Sequence, residues 1–355
     1  MSLILTINPG STSTKIAVYQ DRKEVFEKTL RHSAEVIAQY DNIIDQYEFR
    51  KNTIVEALTE NNIALSQLSA IVGRGGLLRP IPSGIYEVNS SMIEDLKSAK
   101  YGEHASNIGG ILANELAKES EGCRAFIADP VVVDEMSEVA KIAGHPMFKR
   151  VSIFHALNQK AIAKTFAEDQ GVPYDSLNLV VVHLGGGISV GAHEKGKVVD
   201  VNNALNGEGP FSPERSGTIP ALQLAQACFS GDYTFDDIKK VITGKGGCVA
   251  HLGTNDFFTI ENKYKEGDPK FVLISDAFGY NVAKEIGAMA TVLSGKVDAI
   301  ILTGGIARAK YLMEQIRERV EYIAPVHIYP GEDEMGALAR NGFDVLDGKE
   351  EAKIY

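Results

Sequence analysis

The feature that most constrains the fold is a strand–turn–strand–turn–strand pattern that occurs twice in the chain. Each copy contains three short apolar runs, at residues 3–7, 15–19 and 24–30 in the first copy and at 178–184, 188–193 and 198–202 in the second. The turns between the runs are rich in Gly, Asn, Asp, Pro and Lys, as hairpin turns are. Helical periodicity and further strands follow each copy. The sequence therefore predicts a duplicated α/β module, with a chance similarity of two hairpins as the alternative.

The repeat also indicates how the chain divides into domains. Its 355 residues suit two domains of ordinary size. Helices are predicted at 49–58, 90–99, 105–117, 155–168, 219–228, 235–241, 271–293, 307–320 and 334–341, and further strands at 70–72, 85–88, 124–128, 299–302 and 326–329. The last helix could return to the first module. We predict a first domain of residues 1–150 plus 333–355 and a second of 151–332, although no linker-like composition separates them.

Composition excludes several classes of protein. The net charge of −11 disfavours nucleic-acid binding, which depends on clustered Lys and Arg. No apolar run approaches the roughly 20 residues of a membrane span, and the first residues lack the basic start of a signal peptide. The three cysteines, Cys123, Cys228 and Cys248, form no metal or redox spacing. We expect a cytoplasmic protein that binds neither nucleic acid nor membranes.

Three predicted strands run into turns of small residues, at 8–13, 185–187 and 304–305. Glycine allows a backbone to approach a ligand closely and to direct its N–H groups at phosphate oxygens. Ser11, Thr12 and Ser13 add hydroxyl donors, and Lys15 adds a positive charge. No Walker A or G-x-G-x-x-G motif is present. Any one turn could be purely structural, but the three together suggest phosphate binding, whereas Gly244–Gly247 is read as an ordinary turn.

These turns resemble motifs of the acetate kinase family. Residues 8–15 (NPGSTSTK) are similar to the family's N-A-G-S-S-S-x-K, residues 183–189 (HLGGGIS) to H-L-G-N-G-S-S, and residues 302–306 (LTGGI) to F-T-A-G-I. Residues 73–78 (GRGGLL), 208–217 (EGPFSPERSG) and 330–335 (PGEDEM) favour the butyrate kinase branch. The similarity covers nearly the whole chain in order.

The resemblance implies two ribonuclease-H-like domains of the actin-like ATPase type, with nucleotide in an interdomain cleft. It also implies reversible transfer of the γ-phosphoryl group of ATP to butyrate, with Mg²⁺, giving butyryl phosphate and ADP. Isobutyrate, propionate or acetate are alternative acceptors, and a non-catalytic nucleotide switch or a sugar kinase is an alternative of another class. A carboxylate with a pKa of roughly 4 is already ionised and needs no general base. The site must instead neutralise two anions. Because relatives associate, a homo-oligomer is expected.

The matching motifs assign roles to individual residues. Arg74 and Arg215 would hold the carboxylate and the transferring phosphoryl group, since arginine's fork suits both. His155 matches the family's F-H-G histidine and would donate to phosphoryl oxygens. Lys15 would contact the phosphates, and Asp129 would orient Mg²⁺ through water.

The resemblance also predicts a metal site and a nucleotide site. Glu334 is the best match to the metal-site glutamate, with Asn8 beside it and with Glu332 and Asp333 as alternatives. Residues expected to bind nucleotide are Asn8, Ser11, Ser13, Lys15, His183, Gly185, Gly186, Gly187, Gly253, Asn255, Asp256, Gly304, Gly305 and Ile306.

Three positions depart from the acetate kinase pattern. Gln159 stands where acetate kinases have a second histidine, Asn206 where they have a proline in the acyl pocket, and Phe258 where they have an arginine near the adenine. The first two departures argue against acetate as the preferred acid. They leave open whether straight or branched chains fit better, and the physiological direction is open as well.

Overall fold

The computed structural model describes residues 2–355 and contains two β-sheets with helices packed against them. The strands in this part of the chain are β1 (Leu3–Pro9), β2 (Ser13–Gln20), β3 (Lys23–Arg31), β4 (Ala70–Arg74), β5 (Ile85–Glu87), β6 (Arg124–Ala128), β7 (Asn178–Leu184), β8 (Ile188–Glu194), β9 (Lys197–Val201), β10 (Ala299–Gly304), β11 (Val326–Pro330) and β12 (Lys353–Ile354).

Helices occupy most of the chain between the strands. They are α1 (Ala34–Ile37), α2 (Tyr47–Glu60), α3 (Ser90–Lys97), α4 (Asn107–Lys118), α5 (Ala156–Gln170), α6 (Ala221–Cys228), α7 (Phe235–Thr243), α8 (Gly247–Leu252), α9 (Phe257–Lys265), α10 (Pro269–Val292), α11 (Lys310–Val320) and α12 (Glu334–Leu346). Within residues 2–355, none of them combines the length and apolar character that crossing a membrane requires.

The two sheets share one topology. The first has the strand order β12-β5-β6-β4-β1-β2-β3, and the second has β11-β10-β7-β8-β9. Strands β6-β4-β1-β2-β3 of the first sheet correspond to β11-β10-β7-β8-β9 of the second: three are antiparallel neighbours, and the other two are parallel to β1 or to β7. The first sheet has two further strands, β5, which is antiparallel to β6, and β12, which is parallel to β5. The second hairpin of each copy also has an irregular register. The prediction of a duplicated α/β module is confirmed.

Residues up to Val133 together with Asp333–Tyr355 form one compact unit, and Asp134–Glu332 form another. The segment 134–150, which the sequence analysis places in the first domain, is bound to the second unit. The backbone N–H of Ser137 donates to the carbonyl oxygen of Val199 at 2.9 Å. Arg150 Nη1 donates to Asp200 Oδ1 at 2.8 Å. These bonds attach the segment to β9, which a reading based on the repeat alone does not reveal.

Each sheet is buried by the helices that follow it. In the first unit, α4 and α12 pack against the central strands β1 and β4, whose core residues Leu5, Ile7 and Ile71 have no solvent exposure. In the second unit, α10 packs on β7 and β8, with Phe278 and Val282 fully buried. The carboxyl ends of the central strands therefore emerge from rigid layers, which suits them to position functional side chains.

Candidate active site

In the first unit, Asn8, Arg74 and Glu334 come together in a hydrogen-bonded group. Asn8 Nδ2 donates to Glu334 Oε2 at 2.5 Å, and Arg74 Nη1 donates to the same oxygen at 3.1 Å. Arg74 Nη1 also lies 3.3 Å from Asn8 Oδ1. The three residues come from the end of β1, the end of β4 and the start of α12. Helix α12 thus brings Glu334 to Asn8, although the two residues are 326 positions apart in the sequence.

The choice among the three acidic residues at 332–334 follows from their different partners. Glu334 contacts Asn8 and Arg74, whereas Asp333 caps α12 by accepting from the backbone N–H of Gly336 at 2.9 Å. Glu332 Oε1 lies 3.4 Å from His183 Nε2 in the second unit. Glu334 is therefore the acidic residue that accompanies Asn8.

Close packing of glycines fixes the position of Arg74. A β-carbon at Gly73 would lie 2.2 Å from the carbonyl oxygen of Gly109, and one at Gly109 would lie 2.2 Å from that of Arg74. Helix α4 and strand β4 can approach this closely only because both positions lack side chains. Gly73, which precedes Arg74 in the motif, is thus a packing requirement as well.

The turn that contains Ser11 and Ser13 is held by a residue that sequence reasoning missed. Arg50, on α2, is fully buried and donates to the carbonyl oxygens of Gly10 (2.8 Å), Ser11 (2.9 Å) and Ser13 (2.9 Å). It also donates to Gln46 Oε1. All these acceptors are neutral, and burial lowers the pKa of Arg50 to about 10. No sequence motif singles out this arginine, since its spacing from the turn is set only by tertiary structure.

The remaining predicted residues of the first unit have other partners. Lys15 lies opposite Asn8 in the β1–β2 ladder, and its ammonium group pairs with Glu27 at 2.9 Å. Asp129 Oδ1 accepts from Ser83 Oγ at 2.7 Å and from the backbone N–H of Gly84 at 2.8 Å. Asp129 is buried and has a positive φ of 37° at the end of β6. The structure thus gives Asp129 a local structural role and does not join it to Asn8.

In the second unit, His155, His183 and Arg215 meet around Gly187. The rings of His155 and His183 stack with centroids 3.8 Å apart. A β-carbon at Gly187 would lie 2.0 Å from Arg215 Nη1 and 3.3 Å from Cε1 of His155. The missing side chain at 187 therefore provides the space for the guanidinium group. This arrangement brings together four residues that three separate sequence motifs contribute.

Arg215 is fixed by its own loop and by its guanidinium group. Its Nη1 donates to the carbonyl oxygen of Ala204 at 2.7 Å, and its backbone N–H donates to Ser212 Oγ at 3.1 Å. Nε is buried and has no hydrogen-bond partner among residues 2–355. Burial lowers the pKa of Arg215, although Glu214 opposes the effect. A partly desolvated guanidinium of this kind is a strong site for an anion.

A cavity of about 290 Å³ opens beside these residues within the second unit. Its walls are formed by Gly185, Gly186, Pro213, Glu214, Asn255, Phe257, Gly305, Ile306 and Glu332. Five of the residues predicted to bind nucleotide are among them. Asn255 Nδ2 donates to Glu214 Oε1 at 2.5 Å, so two polar groups converge at one wall.

Other predicted nucleotide residues shape the backbone around this cavity. Gly304 has a φ of 95°, and a β-carbon there would lie 2.3 Å from the carbonyl oxygen of Leu184. Gly253 ends α8 in the left-handed region, and Asp256 caps α9. The neighbouring aromatic residue that faces the cavity is Phe257, whereas Phe258 is 72% exposed. Asn206 is exposed as well.

No group of three or more His, Cys, Asp or Glu side chains within residues 2–355 is arranged to hold a metal ion. The first unit offers a smaller donor set, the carboxylate of Glu334 and the amide group of Asn8, whose Nδ2 donates to Glu334 and whose Oδ1 lies 3.3 Å from Arg74 Nη1. Mg²⁺ usually takes one or two carboxylates and fills its other positions with water and substrate phosphates. The donors present fit such an ion.

Comparisons with known proteins show the family to which the chain belongs. Residues 147–340 match the model of the acetokinase family, and this segment is more than half of the chain. The chain is 58% identical to butyrate kinase 1 of Clostridium acetobutylicum over 355 residues, with all of both chains covered. It is 56% identical to butyrate kinase 2 of the same organism, with 99% of each chain covered.

Among solved structures, the acetate kinase of Porphyromonas gingivalis shares the fold with a TM-score of 0.80 and 18% identity. The alignment covers 98% of this chain and all of that protein. Acetate kinase structures are thus its structural neighbours, as the sequence motifs predict. The duplicated α/β fold, the full-length identities and the family match lead to one conclusion: the chain belongs to the acetokinase family.

Proposed function

We propose that the protein is a butyrate kinase, which transfers the γ-phosphoryl group of ATP reversibly to the carboxylate of butyrate. The observation that carries this proposal is the 58% identity to a butyrate kinase over the full length of both chains. Membership of a family of carboxylate kinases supports the same reaction type. The groups around Gly187 supply chemistry that suits it.

The reaction joins two anions, so the protein must neutralise charge where they meet. Arg215 would contact the transferring phosphoryl group, and Arg74 would hold the carboxylate. His155 would donate a hydrogen bond to a phosphoryl oxygen. None of these residues needs to remove a proton from the acceptor, because a carboxylate is ionised at neutral pH.

ATP would occupy the cavity that Gly185, Gly186, Gly305 and Ile306 line. Its backbone-rich wall suits phosphate oxygens, and Phe257 offers an aromatic face to a base. Asn8 and Glu334 would hold Mg²⁺, and Asp129 would orient it through water. When bound, the ion would neutralise charge on the phosphate oxygens. Ser11, Ser13 and Lys15 would contact phosphate once Lys15 leaves Glu27.

The test is a direct assay of acyl phosphate formation. Purified protein is incubated with ATP, Mg²⁺ and one of acetate, propionate, butyrate, isobutyrate or glucose, and acyl phosphate is trapped with hydroxylamine. We expect butyryl hydroxamate as the main product. ATP binding without hydroxamate from any acid would contradict the proposal and favour a nucleotide switch, while phosphorylated glucose would indicate a sugar kinase.

Two arginine variants serve as a matched pair in this assay. Arg215→Ala should remove most activity, whereas Arg317→Ala, an exposed cation paired with Glu314 on α11, should retain it. The preference between straight and branched acids, a homo-oligomeric assembly and a cytoplasmic location stay predictions. Size-exclusion chromatography with light scattering would measure the assembly.

A further inference from the structure

A chain of hydrogen bonds runs through the second unit and ends at His155. It connects Tyr174, His193, Gln159, Ser189 and His155. The bonds are Tyr174 OH to His193 Nδ1 at 2.7 Å, His193 Nε2 to Gln159 Oε1 at 2.9 Å, Gln159 Nε2 to Ser189 Oγ at 2.8 Å and Ser189 Oγ to His155 Nδ1 at 2.9 Å. Helix α5 and strand β8 face each other along this chain.

The sequence periods explain why these residues meet. His155 and Gln159 are four residues apart at the start of α5, so they lie on one face of the helix. Ser189 and His193 are on one face of β8, with Gly191 between them. A β-carbon at Gly191 would lie 2.4 Å from Gln159 Oε1. The glycine therefore makes room for the amide group.

The orientation of the Gln159 amide follows from the chemistry of its neighbours. Its Nε2 lies 3.0 Å from the backbone carbonyl oxygen of Ser189, which can only accept a hydrogen bond. The nitrogen must therefore point towards Ser189, and Oε1 must point towards His193. Since Oε1 only accepts, His193 carries its proton on Nε2. Its Nδ1 then accepts from the hydroxyl group of Tyr174. Burial, together with the charge of Lys160, lowers the pKa of His193 well below its usual value, which keeps this ring neutral.

The direction of the Ser189 hydroxyl group is set in the same way. Ser189 Oγ accepts from Gln159 Nε2 and lies 3.4 Å from the backbone N–H of His155. Both neighbours are donors, and Ser189 is fully buried, so its single proton can only be directed to Nδ1 of His155. Nδ1 must then be an unprotonated acceptor. The proton of the neutral His155 ring consequently resides on Nε2.

We propose that Gln159 and Ser189 are positioning residues that hold His155 as a neutral ring with its proton on Nε2. The positioning of the ring does not depend on the proposed function. Its purpose does rest on that function, since the fixed N–H group would donate to a phosphoryl oxygen. The Cε1 atom beside Nε2 faces the space around Gly187, where Arg215 lies. A neutral ring also suits the stack on His183, because two protonated rings 3.8 Å apart would repel each other.

The arrangement differs from general acid catalysis. A ring that accepts at Nδ1 and donates from Nε2 can bind a phosphoryl oxygen without moving a proton. Arg215 then supplies the positive charge, while the Nε2–H group of His155 orients the phosphoryl oxygen. Gln159, which departs from the acetate kinase motif, is on this view the residue that sets the hydrogen-bond order at the candidate catalytic histidine.

Nitrogen NMR tests the proposal on the intact protein. The chain contains 8 histidines, so ring ¹⁵N labelling is practical, and the signals of His155 are those lost in His155→Asn. At neutral pH we expect His155 Nδ1 to resonate as an unprotonated nitrogen and Nε2 as a proton-bearing one. A proton on Nδ1 of the unmodified protein would overturn the proposal. This measurement does not depend on whether butyrate is the substrate.

Variants separate positioning from general stability. Ser189→Ala should change the Nδ1 signal and lower kcat by about tenfold, the effect of one lost hydrogen bond, while KM for nucleotide changes by less than about twofold. Gln159→Met should shift the same signal, because the serine hydroxyl group is then free to accept from Nδ1. Ser189→Thr, which keeps the hydroxyl group, should restore the Nδ1 signal.

Thr165→Val is the matched control, since it removes a hydroxyl group on the same helix that donates to the backbone carbonyl oxygen of Ala161 at 3.1 Å. It should leave the His155 signals unchanged. If Ser189→Ala also leaves the Nδ1 signal unchanged, the inference is wrong. If the NMR results hold and no acyl phosphate forms from any acid, the proposed function fails and the positioning of His155 stands.

Discussion

At the scale of single residues, the absence of one side chain matters as much as the presence of its neighbours. Gly187 has an ordinary negative φ, so its backbone conformation does not require glycine. The requirement is steric, because Arg215 Nη1 occupies the place of a β-carbon. Gly186 next to it has no atom within 4 Å of its β-carbon position. Of these two adjacent glycines of one motif, only Gly187 has a steric reason to be glycine.

This contrast predicts the outcome of alanine substitutions. Gly187→Ala should displace the guanidinium group and lower kcat by about 10²-fold, on the scale of removing a transition-state donor, as should Arg215→Ala. Gly186→Ala should cause a much smaller loss. Steady-state kinetics with ATP and butyrate measure both. Equal losses in the two glycine variants would show that Arg215 does not depend on this space.

His32 gives a pH-dependent contribution to stability in the first unit. It is buried, Thr14 Oγ1 lies 2.9 Å from its Nε2, and burial together with the charge of Arg50 lowers its pKa to about 4. The unfolded chain binds a proton near pH 6.5, so the contribution is complete above pH 6.5 and is lost as the pH falls towards 4.

Replacing His32 should therefore flatten the pH dependence of unfolding. The free energy of unfolding of the unmodified protein should fall by roughly 1–3 kcal/mol more than that of His32→Gln between pH 7 and pH 4.5. Urea titrations at the two pH values give the comparison. Parallel curves for the two proteins would mean that His32 titrates normally in the folded state.

Sequence analysis located much of the candidate site at this scale but not the contacts that support it. The sequence singles out motif residues such as Asn8 and Gly187 because each lies in a turn of small residues at the end of a predicted strand. The sequence does not single out Arg50, because a buried arginine looks like any other until the fold places it beside a partner. Ser189 lies in the 183–189 motif, but the motif does not show that its hydroxyl group contacts His155. The choice of Glu334 over Glu332 likewise depends on where a helix begins.

At the scale of elements, the strands of both sheets except β12 were predictable because short apolar runs between turn residues have few other interpretations. Helices α1, α8 and α9 were not predicted, because α1 is only four residues long and glycine-rich or polar stretches surround the other two. Helix α11 begins at Lys310 rather than 307, because Gly305–Arg308 forms a 3-10 turn. The sequence analysis placed segment 134–150 in the first domain, whereas it lies in the second unit. The repeat could not reveal this, because it covers the strands and not the loops between them.

A buried ion pair anchors that segment to its unit. Lys160 on α5 has a side chain only 3% exposed, and its Nζ lies 2.6 Å from Glu135 Oε2. The same carboxylate oxygen accepts from the backbone N–H of Val198 at 2.9 Å. Removing one partner would leave a charge buried without compensation.

Lys160→Met should therefore lower the free energy of unfolding by about 3–5 kcal/mol. Adding Glu135→Gln should recover part of the loss, because the buried carboxylate is then gone. Lys118→Met, which breaks an exposed pair with Glu115, should cost no more than about 1 kcal/mol. Chemical denaturation measures all three. A loss in Lys160→Met no larger than in Lys118→Met would refute the anchoring role.

At the scale of the whole molecule, the two units carry separate reporters of their own unfolding. Cys123 lies in the first unit and Cys248 in the second. Burial raises the pKa of Cys123 to about 11 and that of Cys248 to about 12, so both thiols should be unreactive while folded. Cys228 is exposed and should react at once.

Nucleotide should protect one thiol and not the other. The candidate nucleotide cavity is lined only by residues of the second unit, so ADP at about 100 times its dissociation constant should stabilise that unit by about 2.7 kcal/mol. In partial denaturant, labelling of Cys248 should slow about a hundredfold, while labelling of Cys123 changes little. Mass spectrometry of labelled peptides reads both sites. Protection confined to Cys123 would place nucleotide elsewhere.

The bonds of Arg50 join the Pro9–Ser13 loop to a helix some forty positions along the chain. One guanidinium group donates to three carbonyl oxygens of the loop. Opening of the loop would therefore leave a buried cation without these hydrogen bonds. Loops of this kind ordinarily exchange their amide hydrogens quickly. Here the amide of Gly10, which donates to the carbonyl oxygen of Ser13 at 2.8 Å, should exchange on the slow timescale of helix α2, so that a segment suited to handling phosphate behaves dynamically as part of the core.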